Sequence, residues 1–89
     1  MQLQSYTIYS TPTCHFCHQL KDWLTENGIA YVEKNAAADP VARQELIDKS
    51  HQMGVPVSVL TFQDGAEAME KVVIGYDQPQ LADLLEIAA

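Results

Sequence analysis

The segment Thr-Cys-His-Phe-Cys, residues 13–17, separates a β-forming run from an amphipathic helical pattern. Residues 5–9 (Ser-Tyr-Thr-Ile-Tyr) are rich in aromatic and β-branched side chains, which is typical of a strand. From residue 14 to residue 27 apolar side chains recur at helical spacing, and a glycine follows at the helix end. Pro12 ends the strand, and Thr13 is predicted to cap the helix. Both cysteines are therefore predicted to lie in the first helical turn.

The chain has two cysteines, Cys14 and Cys17. A spacing of three on a helix places both sulfur atoms on one side of the first turn, close to the Cα separation of ~5.5 Å that a disulfide prefers. Unpaired N–H groups and the helix dipole at an N-terminus can lower a cysteine pKa from ~8.5 into the range ~3.5–7.5. We expect Cys14 to attack a substrate disulfide and Cys17 to resolve the mixed disulfide.

The residues near the cysteines favour a thiolate. The first acidic residue is Asp22, so all twelve acids follow the motif. His15 and His18 flank the motif, and a positive charge on either would stabilise a thiolate. We predict that His15 and Thr13 tune the thiolate; the alternative is that both histidines are spacers facing solvent.

Three other uses of the cysteine pair stay open. In a zinc site, only His18 and His51 would remain as nitrogen ligands, and a second cysteine pair is missing. Residues 14–18 also match the Cys-x-x-Cys-His pattern of c-type haem attachment, with Met53 as a distal ligand, but the expected export signal is missing. The third use is inert packing, for which a helix N-terminus behind a strand is poorly placed.

Composition and charge limit the classes of function. The 89 residues fit one domain, predicted to span residues 1–89, and the hydrophobic content of 47% is sufficient for a packed core. Five basic and twelve acidic residues give a net charge of −7, which disfavours nucleic acid and anionic membranes as partners. No apolar run approaches the ~20 residues of a membrane span, and no signal-peptide pattern is present, so we expect a cytoplasmic protein.

The middle of the chain continues the alternation of strands and helices. Residues 29–34 predict a second strand. Asp39-Pro40 predicts the start of a second helix that runs to about Ser50. The apolar side chains expected to face inward from this helix are Val41, Leu46 and Ile47.

The last part of the chain predicts a hairpin and a third helix. Residues 57–62 and 69–74 read as strands joined by a loose turn over residues 63–67. Asp77 is predicted to cap the last helix. Its apolar face is formed by Leu81, Leu84, Leu85 and Ala88. The order β-α-β-α-β-β-α predicts an α/β fold, a four-stranded mixed sheet flanked by helices on both faces.

Three motifs in this order resemble the glutaredoxin branch of the thioredoxin superfamily. They are Thr-Cys-His-Phe-Cys at residues 13–17, Gly-Val-Pro at residues 54–56 and Gly-Tyr-Asp at residues 75–77. The resemblance implies a thioredoxin-like fold and a cis peptide bond before Pro56. It also implies that the backbone of Val55 pairs with an extended substrate. By the same resemblance, Gly75, Tyr76 and Asp77 contribute to substrate or thiol binding.

The chain departs from the usual family pattern at three places. His15-Phe16 stands between the cysteines where Pro-Tyr is usual, and Thr11 stands where glutathione-using members carry a lysine. Residues 75–78, Gly-Tyr-Asp-Gln, lack the second glycine and one aspartate of the usual segment. Losing a charged contact to a glutathione carboxylate costs ~1.5–3 kcal/mol. A Gly-aromatic pair is more similar to the redoxins that draw electrons from thioredoxin reductase, including those that serve ribonucleotide reductase.

These observations predict a small dithiol–disulfide oxidoreductase that reduces protein disulfides through Cys14 and Cys17. We expect thioredoxin reductase rather than glutathione as the electron source, no metal or organic cofactor, and a monomer. One alternative is a glutathione-dependent glutaredoxin. The other is a non-catalytic module of the same fold that carries a metal or an iron–sulfur cluster.

Overall fold

The structure, a computed structural model, describes residues 2–87 and confirms the predicted order of elements. The elements are β1 (Gln2–Ser10), α1 (His15–Glu26), β2 (Val32–Asn35), α2 (Pro40–Ser50), β3 (Val57–Asp64), β4 (Glu67–Ile74) and α3 (Gln78–Leu85). The strands form one mixed sheet in the order β2-β1-β3-β4. β1 and β2 are parallel, whereas β3 is antiparallel to both β1 and β4. The fold is the thioredoxin-like α/β fold that the resemblance implied.

Side chains alternate between the two faces of the sheet, and each face has its own apolar core. Tyr6 and Ile8 of β1 pack with α1 and α3, whereas Tyr9 of β1 packs with α2. The first core comprises Tyr6, Ile8, Leu20, Trp23, Leu24, Leu60, Phe62, Val73, Leu81 and Ala82. The second comprises Tyr9, Ala36, Ala42, Leu46, Val57 and Val59. The helices therefore cover both faces, as predicted, and the sheet fixes the positions of the loops at its ends.

Several boundaries differ from the predicted ones because strand pairing extends or shortens the local pattern. β1 begins at Gln2 because it pairs with β3 as far as Gln63. β2 begins at Val32, although the preceding Ile29 still packs against the first core. The predicted loose turn is tight, since pairing of β3 with β4 continues to the turn, where Gly65 has a φ of +63°.

The inward face of α2 is displaced from the predicted one. Val41 is 68% exposed, and Ala42 and Leu46 face the sheet instead. Asp39 caps this helix as predicted, because its Oδ1 accepts a hydrogen bond from the N–H of Val41 at 2.9 Å. The cap fixes where the helix begins. Successive residues of an α-helix are turned by about 100°, so Val41 points away from the face that Ala42 and Leu46 bury.

The third helix ends at Leu85, and Ala88 of the predicted apolar face lies outside the described residues. Leu81 is fully buried, and Leu84 and Leu85 are half-buried against the first core. Within residues 2–87, the longest helix, α1, has 12 residues, and none of the helices has the length and apolarity needed to cross a bilayer.

Candidate redox site

Cys14 and Cys17 form a disulfide at the start of α1, with a Cα–Cα separation of 5.2 Å. The two residues differ in exposure: Cys17 is fully buried, whereas Cys14 is half-buried. Only a sulfur atom that solvent and a second protein can reach can make the first attack on a disulfide. The predicted roles, Cys14 as the attacking residue and Cys17 as the resolving residue, agree with this difference in exposure and stay a prediction.

Cys14, and not Thr13, is the N-cap of α1. Its backbone is extended, with a φ of −83° and a ψ of 110°, and its Sγ accepts a hydrogen bond from the N–H of Cys17 at 3.1 Å. Thr13 is exposed one residue earlier. The prediction of a Thr13 cap was wrong because threonine is a common capping residue and cysteine is not. As a result, the sulfur atom itself takes the place where a helix N-terminus favours negative charge.

The Val55–Pro56 peptide bond lies beside Cys14 and is cis, as the resemblance implied. The carbonyl oxygen of Val55 is 3.7 Å from the Sγ of Cys14. Pro56 is buried, and its carbonyl oxygen accepts a hydrogen bond from the N–H of Gly75 at 2.8 Å. The structure thus brings the three predicted motifs together at one end of the sheet.

The residues of the third motif, Gly75, Tyr76 and Asp77, have structural roles within the protein. Gly75 has a φ of +82°, which favours glycine. The ring of Tyr76 meets the ring of Trp23 edge to face with a centroid distance of 6.3 Å. Burial, and secondarily the charge of Glu26, raises the pKa of Tyr76 above its ordinary value of 10.0. Asp77 caps α3, with its Oδ1 accepting from the N–H of Gln80 at 3.2 Å. Tyr76 and Asp77 therefore support the fold, and their predicted part in substrate or thiol binding stays a prediction.

The two histidines lie on the outside of the motif. His15 is exposed, and its ring packs against the exposed ring of Phe16 at a centroid distance of 5.8 Å. The Nε2 of His18 lies 3.0 Å from the carbonyl oxygen of Pro12, within hydrogen-bond distance. Tuning of the thiolate by His15 or Thr13 stays a prediction, to be tested with variants.

Comparison with known proteins identifies the family. The family model for glutaredoxin matches residues 6–60, a stretch that includes both cysteines and the cis-proline. The chain belongs to the glutaredoxin family. An uncharacterized glutaredoxin-like 8.6 kDa protein, from a rubredoxin operon of Clostridium pasteurianum, is 35% identical over 79 residues, covering 89% of this chain and 95% of that protein.

One further comparison concerns the fold, and another concerns a shorter stretch of sequence. The structure of a mutant of the thioredoxin-like protein BC3987 matches with a TM-score of 0.78 at 29% identity, covering 96% of this chain and 99% of that one. The global transcriptional regulator Spx 1 of Bacillus cereus is 45% identical over 40 residues, which is 45% of this chain and 30% of that longer protein. Family membership and the Cys14–Cys17 pair together make this chain a thiol–disulfide oxidoreductase.

A polar groove beside the motif was not predicted from the sequence. It has a volume of about 330 Å³ and is lined by Ser10, Pro12, His18, Lys21, Glu33 and Asn35. The carboxylate of Glu33 accepts a hydrogen bond from the Oγ of Ser10 at 2.6 Å and pairs with the Nζ of Lys21 at 2.8 Å. Hydrogen bonding by Lys21, then by Ser10, lowers the pKa of Glu33 below its ordinary value of 4.5. The cluster joins β2 to α1 just behind the cysteines.

The lowered pKa of Glu33 predicts a pH-dependent contribution to stability. Because the folded pKa is depressed, the ionised form stabilises the fold above the unfolded pKa, and this contribution is lost as the pH falls through the folded value. We therefore expect Glu33→Gln to be less stable than wild type at pH 7, with the difference shrinking below pH ~4.5. Urea denaturation of both proteins at a series of pH values measures this difference in the free energy of unfolding. The matched control is Glu67→Gln, an exposed acid beside the β3–β4 turn. A Glu33→Gln deficit that is equal at pH 7 and pH 3 would contradict the assignment.

Proposed function

We propose that this glutaredoxin-family protein reduces protein disulfides by a two-step exchange. The thiolate of Cys14 attacks one sulfur of the substrate disulfide and forms a mixed disulfide with it. The substrate S–S bond breaks, and the other substrate sulfur leaves as a thiolate that takes a proton from water. The sulfur of Cys17 then attacks the Sγ of Cys14, and its proton passes to the departing substrate thiolate. Two electrons move from the dithiol to the substrate, and the Cys14–Cys17 disulfide remains. The single observation that carries the proposal is the half-buried Cys14 sulfur at a helix N-terminus, bonded to a fully buried partner.

The backbone of Val55 is our candidate for holding the substrate chain. Val55 is half-buried and its carbonyl lies beside the Cys14 sulfur. An extended substrate that pairs with this segment would deliver its disulfide to that sulfur, in the way an added strand pairs with an edge. Phe16 (59% exposed) and Met53 (66% exposed) are apolar residues close in sequence to Cys17 and Val55, and we propose that they contact such a chain.

The distribution of basic residues supports thioredoxin reductase over glutathione as the electron donor. The chain's basic residues are Lys21, Lys34, Arg43, Lys49 and Lys71. Each lies outside the three motifs, and Lys21, Lys34 and Lys49 are paired with Glu33, Glu45 and Glu70 respectively. Glutathione carries two carboxylates. A carboxylate that binds without a lysine or arginine partner cannot form charge-assisted hydrogen bonds with a cationic side chain, which are stronger than neutral ones. Thr11, half-buried where a lysine is usual, offers a neutral hydroxyl.

A coupled assay tests the choice of donor. We expect NADPH with thioredoxin reductase to support faster turnover of a protein disulfide than glutathione with glutathione reductase. Thr11→Lys should raise the glutathione-driven rate by roughly 10-fold, because it restores a charge-assisted contact. Thr25→Lys, on the exposed side of α1, adds the same charge away from the site and serves as the control. Faster wild-type turnover with glutathione would overturn the proposed donor without affecting the proposed exchange.

We further propose that the protein works as a monomer in the reducing cytoplasm. A dithiol that must be re-reduced after each turnover suits a compartment in which thiols are kept reduced. The net charge of −7 supports proteins, rather than nucleic acid or anionic membranes, as the partners.

A further inference from the structure

We propose that Gln52 is a positioning residue that holds the loop before Val55 in the shape needed to receive a substrate chain. The inference rests on the proposed function, since it concerns how Val55 is presented to the substrate. Gln52 is half-buried in the segment between α2 and the cis-proline.

The side-chain amide of Gln52 bonds both backbone groups of Gly54. Its Oε1 accepts a hydrogen bond from the N–H of Gly54, and its Nε2 donates to the carbonyl oxygen of Gly54 at 3.0 Å. The amide thus occupies the donor and the acceptor of one residue together, as a neighbouring strand would. We call these two bonds from the Gln52 side chain to Gly54 the clamp. Gly54 is the residue directly before Val55, so the clamp ends where the proposed substrate pairing begins.

The clamp is anchored to the buried face of α2. The Nε2 of Gln52 also lies 3.0 Å from the Oγ of Ser50, to which it donates. Ser50 is 7% exposed, and its hydroxyl donates to the carbonyl oxygen of Leu46 at 2.6 Å. Leu46 belongs to the core between α2 and the sheet. A continuous chain of hydrogen bonds therefore connects this core with the backbone of Gly54.

Gly54 differs from the other glycines in the reason for its presence. Gly28, Gly65 and Gly75 have positive φ angles, and a Cβ atom at any of them would meet open space. Gly54 is not among the residues with positive φ, but a Cβ atom there would lie 2.7 Å from the Oε1 of Gln52. A side chain at position 54 would therefore displace the Gln52 amide, whereas the glycine leaves room for it.

The opposite side of the loop has its own support. The N–H of Gly75 bonds the carbonyl oxygen of Pro56. Without the Gln52 side chain, the loop would keep this bond after Val55 and the bond from the Ser50 hydroxyl to the backbone carbonyl oxygen of Gln52, but Gly54 would lose both bonds to the Gln52 amide. Substrate binding would then have to order this segment, and that cost would appear in the KM.

Steady-state kinetics of Gln52→Ala test the proposal. We expect the KM for a protein disulfide to rise by about five- to tenfold, because the loss of hydrogen bonds to the loop leaves more ordering for the substrate to do. We expect kcat, and the rate at which iodoacetamide alkylates Cys14 in the reduced protein, to stay within about twofold, since the cap of α1 is untouched. Gln52→Glu, whose carboxylate can accept from Gly54 but not donate to it, should give an intermediate KM.

Three further variants separate the clamp from general stability. Gly54→Ala should displace the Gln52 amide and raise the KM as much as Gln52→Ala does, while the double variant should be no worse than either single one. Gln63→Ala is the matched control. Its Nε2 bonds the carbonyl oxygen of Gly65 at 2.7 Å, two residues along, at the far end of β3. Its KM should be that of wild type.

The outcomes distinguish this inference from the proposed function. A wild-type KM in folded Gln52→Ala, or additive effects of the two substitutions, would overturn the clamp. A fall in the alkylation rate of Cys14 as large as the rise in the KM would also overturn the clamp, because Gln52 would then act on Cys14. If the wild-type protein reduces no protein disulfide, the proposed function fails. Amide hydrogen exchange then tests the clamp without an activity assay. Gln52→Ala should speed exchange of the Gly54 amide severalfold, and an unchanged rate would refute the clamp.

Discussion

Cys14→Ser is expected to abolish turnover of a protein disulfide. The rate should fall by roughly 10³-fold or more, the scale that follows removal of a covalent nucleophile. Cys14 is the attacking residue in the proposed exchange, and the buried Cys17 cannot replace it because its sulfur does not reach the surface. The measurement is the rate of substrate reduction in the coupled assay, with the wild type and the variant at equal concentration.

The fold of Cys14→Ser should be intact, which makes the loss interpretable. Serine is among the preferred capping residues, so its hydroxyl can accept the hydrogen bond from the N–H of Cys17 that the sulfur accepts in the wild type. Thermal denaturation and circular dichroism of the variant, compared with those of reduced wild type, provide the control. Full activity in Cys14→Ser would show that Cys14 is not the nucleophile.

Cys17→Ser is expected to trap a covalent complex with the substrate. The first step depends on Cys14 alone, so one mixed disulfide per chain should form and persist, while reduction of a protein disulfide should fall by roughly 10²-fold or more. Mass spectrometry of the intact protein under non-reducing conditions measures the adduct, and a peptide map locates it at Cys14.

The doubly substituted variant, with serine at both Cys14 and Cys17, is the control for this trap. It should form no adduct under the same conditions. Turnover of Cys17→Ser at the wild-type rate would mean that an external thiol resolves the mixed disulfide, as in a glutathione-driven exchange, and Cys17 would lose its role as the resolving residue.

The topology was predictable because each element carries a local signal. The β-forming run before residue 13, the Asp39-Pro40 helix start and the strand pair flanking Gly65 each need a few neighbouring residues to be recognised. The ends of β1 and β2 were not predictable in the same way. They depend on how far β3 and β1 continue to pair, which is a contact between distant segments.

The site was predictable to the extent that it consists of motifs. Cys14 and Cys17 stand out by residue type and spacing, the resemblance to the glutaredoxin branch added Pro56, and the structure brings the three together. The Glu33–Lys21 pair joins residues twelve apart on different elements, and neither residue carries a local pattern. Gln52 bonds a neighbouring residue, but a polar side chain in a loop has no periodicity from which the bond could be inferred.

The central claim is that Cys14 and Cys17 act as one redox couple, and a redox titration tests it most directly. The protein is equilibrated in glutathione and dithiothreitol buffers of graded potential, and free thiols are alkylated and counted by mass spectrometry. We expect both thiols to disappear together, with a slope of about 30 mV per tenfold change in the ratio of oxidised to reduced protein, as for a two-electron couple. Thiols that disappear singly, or that stay reduced across the whole range, would contradict the claim.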